Sequence, residues 1–168
     1  MNSKKILIIS CSIVVLLIVG WYVFSHIFRI PVPETFADVY EFTSNYEVTN
    51  LSNDNIVIDP IILQTADDHL INHIEVKGKI INFVVARFSS GNIAGNVFSK
   101  IKKNTGVSSA NLKRYKAEIN LPLYGSYWTV TSKGKTYSMW KKDNWVVFIR
   151  GEDRELVKGF ERTFKNNI

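Results

Sequence analysis

The strongest constraint on this chain is the run from Ile6 to Phe28, in which 23 successive residues include no Lys, Arg, Asp or Glu. An α-helix rises about 1.5 Å per residue, so this run is long enough as a helix to cross the roughly 30 Å hydrocarbon layer of a bilayer. The sequence therefore predicts a transmembrane helix within residues 1–28. Residues 29–168 are then expected to form the part of the protein that this helix attaches to the membrane.

The C-terminal end of the run indicates that the anchor is retained rather than cleaved. A signal peptide has an apolar region of about 7–15 residues, followed by small residues at the cleavage site. Here the apolar region is longer and ends in bulky aromatic residues, which suit the interface between lipid and water; they are Trp21, Tyr22, Phe24 and Phe28. We therefore expect a signal anchor and membrane contact through residues 6–28.

Basic residues at the two ends of the run predict its orientation. Lys4 and Lys5 precede it, whereas Arg29 is the only Lys or Arg between the run and Lys77. The cytoplasmic flanks of membrane spans carry an excess of Lys and Arg. The sequence therefore predicts a single-pass protein of the cell membrane, with a cytoplasmic N-terminus and an extracytoplasmic C-terminal domain.

The charges after the anchor are divided into two halves. Residues 30–76 contain nine acidic residues and no Lys or Arg, whereas residues 77–168 contain 18 basic and six acidic residues, for a net charge of +12. Either the acidic segment packs against the basic one, or a basic face stays open to an anionic partner such as an envelope protein, a surface polymer or a lipid. Nucleic acid is not favoured, because the domain is predicted to be extracytoplasmic and carries no nucleic-acid motif.

Residues 29–76 are expected to form an acidic juxtamembrane segment beside the main domain. Pro33 is a favourable first residue for a short helix that continues to Tyr40. The apolar residues between positions 56 and 63, interrupted by Pro60, indicate a short edge strand. A solvated polar turn is expected at 67–73.

That polar turn contains the one metal-like cluster of the sequence. On a helix, His69 and His73 would share a face, and Asp67 could add an oxygen ligand. However, Leu70 occupies the position at which a zinc protease motif has its catalytic Glu. We therefore keep these three residues only as weak metal candidates and predict no cofactor.

Residues 77–168 are expected to form a basic α+β domain. An apolar, β-branched run at 79–88 predicts a strand, and the periodicity after Ser90 predicts a helix to about Asn104. Further strands are predicted at 113–121, 127–131, 135–141 and 145–149, and a closing helix at 152–164. Together these elements predict an antiparallel sheet of about five strands with two helices on one face, of which a ferredoxin-like variant is one form.

Aromatic and basic residues concentrate in the last strands of the predicted sheet. Strand alternation should direct about half of the rings toward the helices and leave the others on an open face with the lysines. Such a face suits a sugar polymer, a lipid headgroup or a partner protein. The predicted binding residues are Trp128, Lys133, Lys135, Tyr137, Trp140 and Lys141.

The residue types do not assemble into a recognisable catalytic site. Catalysis requires a nucleophile with a base, a carboxylate pair or a metal within reach, and residues 29–168 contain no Cys and only two His. The sequence therefore predicts a non-catalytic binding or interaction module anchored to the membrane. Two alternatives stay open, an accessory subunit of a larger membrane or cell-surface complex and an enzyme whose site is not recognisable from sequence.

Overall fold

A seven-stranded antiparallel sheet forms the centre of the fold in the computed structural model, which describes residues 13–20, 22, 30–49, 63–105, 115–121 and 125–168. The spatial order of the strands is β1-β2-β3-β7-β6-β5-β4. Their bounds are β1 Glu47–Val48, β2 Asp68–Val76, β3 Lys79–Arg87, β4 Tyr115–Leu121, β5 Gly125–Ser132, β6 Lys135–Lys142 and β7 Trp145–Gly151.

Three helices pack on this sheet, namely α1 Phe36–Ser44, α2 Gly91–Asn104 and α3 Arg154–Asn166. Each begins at a polar side chain that accepts a hydrogen bond from a free backbone N–H of the first turn. Thr35 does so for α1, Ser90 for α2 and Asp153 for α3. The predicted strands at 79–88, 127–131 and 135–141 and the two predicted long helices are confirmed.

The central strands are apolar on both faces, which requires a cover on each side of the sheet. In β3, Ile81, Phe83 and Val85 point to one face, while Val84 and Ala86 point to the other, and all five side chains are buried. A half-exposed strand would instead alternate apolar and polar residues. The sheet is therefore a middle layer rather than an outer one.

The helices supply both covers, and this corrects two predictions. Helices α1 and α3 pack on the face of Phe83, whereas α2 packs on the face of Val84. The expectation that the two long helices share one face was therefore wrong, and the expected count of about five strands was too low. A nearly continuous apolar strand such as β3 buries both faces, so a single helical layer does not suffice.

The two additional strands come from the acidic segment. β2 pairs with β3 along its whole length, from Asp68 opposite Arg87 to Val76 opposite Lys79. The two strands are joined by the tight turn Lys77–Gly78, in which both residues have positive φ, as the favoured two-residue hairpin turns require. The polar turn expected at 67–73 is thus largely strand, and the boundary expected at 76–77 lies inside a hairpin, so both halves belong to one sheet.

The chain enters the domain on the face of α3. Ile30 and Phe36 are buried in the core, and the indole Nε1 of Trp140 donates a hydrogen bond to the carbonyl of Pro31 at 2.8 Å. The ring of Phe36 lies 5.0 Å from that of Trp145, at the start of β7. This entry segment, residues 30–36, is therefore fixed at the end of the sheet where β6 ends and β7 begins.

The predicted membrane anchor falls mostly outside the described residues. Of the run from Ile6 to Phe28, residues 13–20 and 22 are described; all are helical and all are exposed. Within the described residues, no helix combines the length and the apolar composition needed to cross a bilayer. The edge strand expected between 56 and 63 lies outside the described residues except for Leu63, which is buried on the α2 face.

Replacing Phe42 with Ala should show that the acidic segment is part of the core. The ring of Phe42 lies 4.9 Å from Phe164 and 5.4 Å from Phe160, so its loss should lower the free energy of unfolding by about 3–5 kcal/mol. Tyr40 on the same helix is 51% exposed, and Tyr40→Ala should cost less than about 1 kcal/mol. Denaturant unfolding of the full chain in neutral detergent measures the free energy of unfolding of both variants. Equal decreases in the two variants would contradict the burial of Phe42 in the core.

Candidate functional site

The aromatic residues predicted to form an open binding face are buried. Trp128 is 2% exposed and Tyr137 is 8% exposed in the core beneath α2, and Trp140 is fully buried in the core beneath α3. The prediction of an exposed aromatic platform at these three residues is therefore corrected. Alternation does send the rings to opposite faces, but a helix covers each of those faces.

The lysines predicted for the same site lie at opposite ends of β6. Lys133 and Lys135 are at the turn between β5 and β6, whereas Lys141 is near the other end of the strand. Lys141 lies six positions after Lys135 along the strand, a distance of about 20 Å. The structure thus divides the predicted residues between two ends of the sheet and two cores.

The weak metal candidates do not converge. His69 and His73 are both on β2, four residues and thus about 13 Å apart. His73 is buried, and its Nδ1 lies 2.5 Å from the side-chain oxygen of Asn82, whereas His69 is exposed. Across the described part of the chain, no group of three or more His, Cys, Asp and Glu side chains could hold a metal ion.

A buried polar cluster joins α3 to the sheet. Glu161 accepts hydrogen bonds from Ser138 at 2.6 Å and from Tyr127 at 3.2 Å, and its other oxygen lies 2.5 Å from Nζ of Lys165. The Lys165 ammonium also lies 4.5 Å from the centres of the Tyr127 and Trp140 rings. Ser138 is buried, and its partners are protein groups. The cluster therefore satisfies buried polar groups and is enclosed rather than open to a substrate.

A groove on the other face of the sheet has a different character. Its helical side is a stripe along α2 at the i, i+4, i+7 and i+8 positions Gly95, Ser99, Lys102 and Lys103, which share one face of a helix. Its sheet side is formed by the ends of β4, β5 and β6, and the groove has a volume of about 630 Å³. We call it the basic groove; its residues from the sheet include Asn120, Ser126 and Lys141.

Local packing positions Lys141 in the basic groove. A methyl group at Gly95 would lie 3.8 Å from both Cε and Nζ of Lys141, so the lysine side chain lies directly over the glycine. On the neighbouring strands, Ser126 donates a hydrogen bond to the side-chain oxygen of Asn120 at 2.9 Å. The three lysines thus reach the same groove from α2 and from β6.

The chemistry of the basic groove favours binding of an anion. It combines three ammonium groups with hydroxyl and amide groups, and the described residues that line it include no carboxylate, imidazole or thiol. Concentrated charge of one sign raises the local concentration of oppositely charged ligands.

Sequence reasoning found Lys141 but missed the rest of the basic groove. Lys102 and Lys103 lie in the last turn of α2, where cations interact favourably with the helix dipole, so a local explanation was sufficient. The missed signal is the spacing of Gly95, Ser99 and Lys103, which lies beside the apolar stripe of the helix. This spacing indicates a groove only once it is known which strands lie against that side of the helix.

A smaller cleft of about 350 Å³ lies at the opposite end of the sheet. It contains Lys135 from the predicted set, together with Lys79, Arg150 and Glu152. Lys79 forms an ion pair with Asp153 at 2.7 Å. Because acidic groups accompany the basic ones here, this cleft is less suited to an anion than the basic groove is.

Comparisons with known proteins support the fold alone. No protein-family model matches the chain, and no curated protein matches it. Among solved structures, it is similar to the crystal structure of a GTP binding regulator from Thermotoga maritima, with a TM-score of 0.51 and 14% sequence identity. The match covers 83% of this chain and 91% of the other chain.

Replacing Tyr127 with Phe should reduce the loss of stability at high pH. Burial, and then the carboxylate of Glu161, raises the pKa of the Tyr127 hydroxyl from 10.0 to about 12. The folded state therefore holds this proton more tightly than the unfolded chain does. Its contribution to stability is complete below about pH 10 and is lost as the pH rises toward 12.

Because Tyr127 is only partly buried, we expect this contribution to be about 1–2 kcal/mol. The measurement is denaturant unfolding of the wild type and of Tyr127→Phe at several values between about pH 9 and pH 12. The variant should show the smaller decline in the free energy of unfolding over this range. Parallel declines in the two proteins would contradict the assignment.

Proposed function

We propose that this protein is a non-catalytic binding domain, held at a membrane by residues 6–28, and that the basic groove binds an anionic ligand or partner. The observation that carries the proposal is the convergence of Lys102, Lys103 and Lys141 on one groove of about 630 Å³. The partner classes that fit are an envelope protein with acidic groups, an anionic surface polymer and an anionic lipid.

The N-terminal run supports the membrane part of the proposal. Its described residues, 13–20 and 22, are helical, and their large apolar side chains are each more than half exposed. Burying apolar surface is worth about 25 cal/mol per Å², so a helix that is apolar all round is unfavourable in water. A lipid environment removes that cost.

The non-catalytic part of the proposal is supported by the two polar sites. The described lining of the basic groove offers charge but includes no carboxylate, imidazole or thiol. The Ser138 and Glu161 cluster offers a carboxylate and a hydroxyl, but both side chains are buried. A binding role needs only the charge and the shape of the groove.

The membrane topology can be tested by protease treatment of intact cells that carry a C-terminal tag on the full chain. An extracytoplasmic domain predicts loss of the tag in intact cells, because the positive flank at Lys4 and Lys5 keeps the N-terminus inside. A lysed sample controls for protease sensitivity. Protection in intact cells with digestion in the lysate would reverse the proposed orientation.

Neutralising two lysines of the basic groove should weaken anion binding. Each Lys near an anionic surface contributes about 1 kcal/mol, so the double variant Lys103→Gln, Lys141→Gln should bind about 30-fold more weakly. The probe is inositol hexakisphosphate, titrated calorimetrically into the full chain in neutral detergent micelles. A decrease in affinity with added salt should accompany the binding.

The matched control is the double variant Lys100→Gln, Lys133→Gln, which removes the same net charge outside the basic groove. Lys100 is exposed on α2, and Lys133 is exposed in the turn at the far end of the sheet. This variant should bind within about threefold of the wild type, because its effect is limited to screened, longer-range attraction. Equal losses in the two double variants would refute the groove as the binding site.

A further inference from the structure

The basic groove and the entry segment lie at the same end of the sheet. Trp140 holds the carbonyl of Pro31 on the α3 face, and Lys141 follows it in β6 and projects to the α2 face beside Gly95. Trp145, which contacts Phe36, pairs with the next residue of β6 across the turn. The chain therefore enters the domain directly behind the groove.

The length of the chain limits how far this end can be from the membrane. The apolar run ends at Phe28, and three residues later Pro31 is bound to Trp140. Even a fully extended chain spans at most about 3.6 Å per residue, so the Pro31 carbonyl lies within roughly 11 Å of the end of the run. The opposite end of β6 is about 20 Å further away along the strand.

The surface at this end has two of the properties expected of a membrane-binding face. Clustered lysines attract the negative surface of a leaflet that contains anionic lipids. At the same end of the sheet, Ile119 on the edge strand β4 is 40% exposed. It pairs with Tyr127, whose ring contacts α3, so its side chain lies beside the groove on the α3 face. An exposed apolar residue beside basic ones fits the boundary between headgroups and acyl chains better than it fits a fully hydrated polymer.

We infer that the basic groove binds the phosphate groups of anionic lipids in the same membrane that holds the anchor, so that the domain rests on the bilayer surface through this end. The inference depends on the proposed function and specifies its ligand. Lys102, Lys103 and Lys141 supply the charge, and the short entry segment supplies the proximity.

The test measures the distance of two labelled sites from the lipid headgroups in the full chain. Cys11, the single cysteine, is replaced by Ser, and a fluorophore is attached to Cys introduced either at Asn96 or at Lys133. Asn96 is exposed on α2 next to the groove, and Lys133 is exposed at the far end of the sheet. Nanodiscs contain headgroup spin-labelled phosphatidylcholine, either alone or with about 30% phosphatidylglycerol.

Quenching at position 96 should exceed quenching at position 133 by about twofold or more in the anionic nanodiscs, because the far end of the strand is about 20 Å more distant. In the anionic nanodiscs, quenching at position 96 should fall toward its value in neutral nanodiscs when Lys103→Gln and Lys141→Gln are added. It should stay unchanged with Lys100→Gln, which alters the same helix outside the groove. Equal quenching at both sites, or no response to phosphatidylglycerol, would overturn the inference.

The titration with inositol hexakisphosphate separates this inference from the function on which it rests. If the groove lysines control binding of that soluble anion but not quenching by lipid, the groove is an anion site and its assignment to lipid is wrong. If they control neither, the proposed function fails as well. Quenching that depends on both the lysines and phosphatidylglycerol supports the lipid assignment.

Discussion

Burial of both faces of the central strands is the constraint on which the rest of this fold depends. β3 and β7 present apolar side chains in both directions, so the sheet is stable only when each face is covered. Helices α1 and α3 provide one cover and α2 provides the other. The same constraint buries Trp128, Tyr137 and Trp140, so the polar groups that line the basic groove come largely from one side of α2 and from the strand ends.

The sequence-based predictions were right where a feature depends on neighbouring residues and wrong where it depends on residues far apart in the chain. Hairpin turns and helix starts depend on local chemistry, as at Gly134 and Asp153, and these were predictable. β2 was not, because its sequence from Asp68 to His73 is polar and becomes a strand through pairing with the strongly apolar β3. The basic groove was missed for a similar reason, since its residues come from four separate elements.

The separation of charge along the chain becomes a separation across the sheet. The acidic segment contributes β1 and β2 at one edge, whereas the basic groove lies among β4, β5 and β6 at the other. Three strand spacings between β2 and β6, the strand that carries Lys141, amount to about 14 Å, which exceeds the screening length of about 8 Å at physiological salt. The acidic strands therefore do little to neutralise the lysines of the groove, although both belong to one folded unit.

Strand β6 links the core, the entry segment and the basic groove through successive residues. The indole of Trp140 fills the α3-side core, holds the Pro31 carbonyl and lies beneath the Lys165 ammonium. Lys141 then turns to the opposite face and reaches over Gly95. Because both residues belong to an inner strand that is hydrogen-bonded on each side, the groove has a fixed position relative to the point where the chain enters the domain. A chain segment attached at that point would thus restrict the orientations that the groove can adopt.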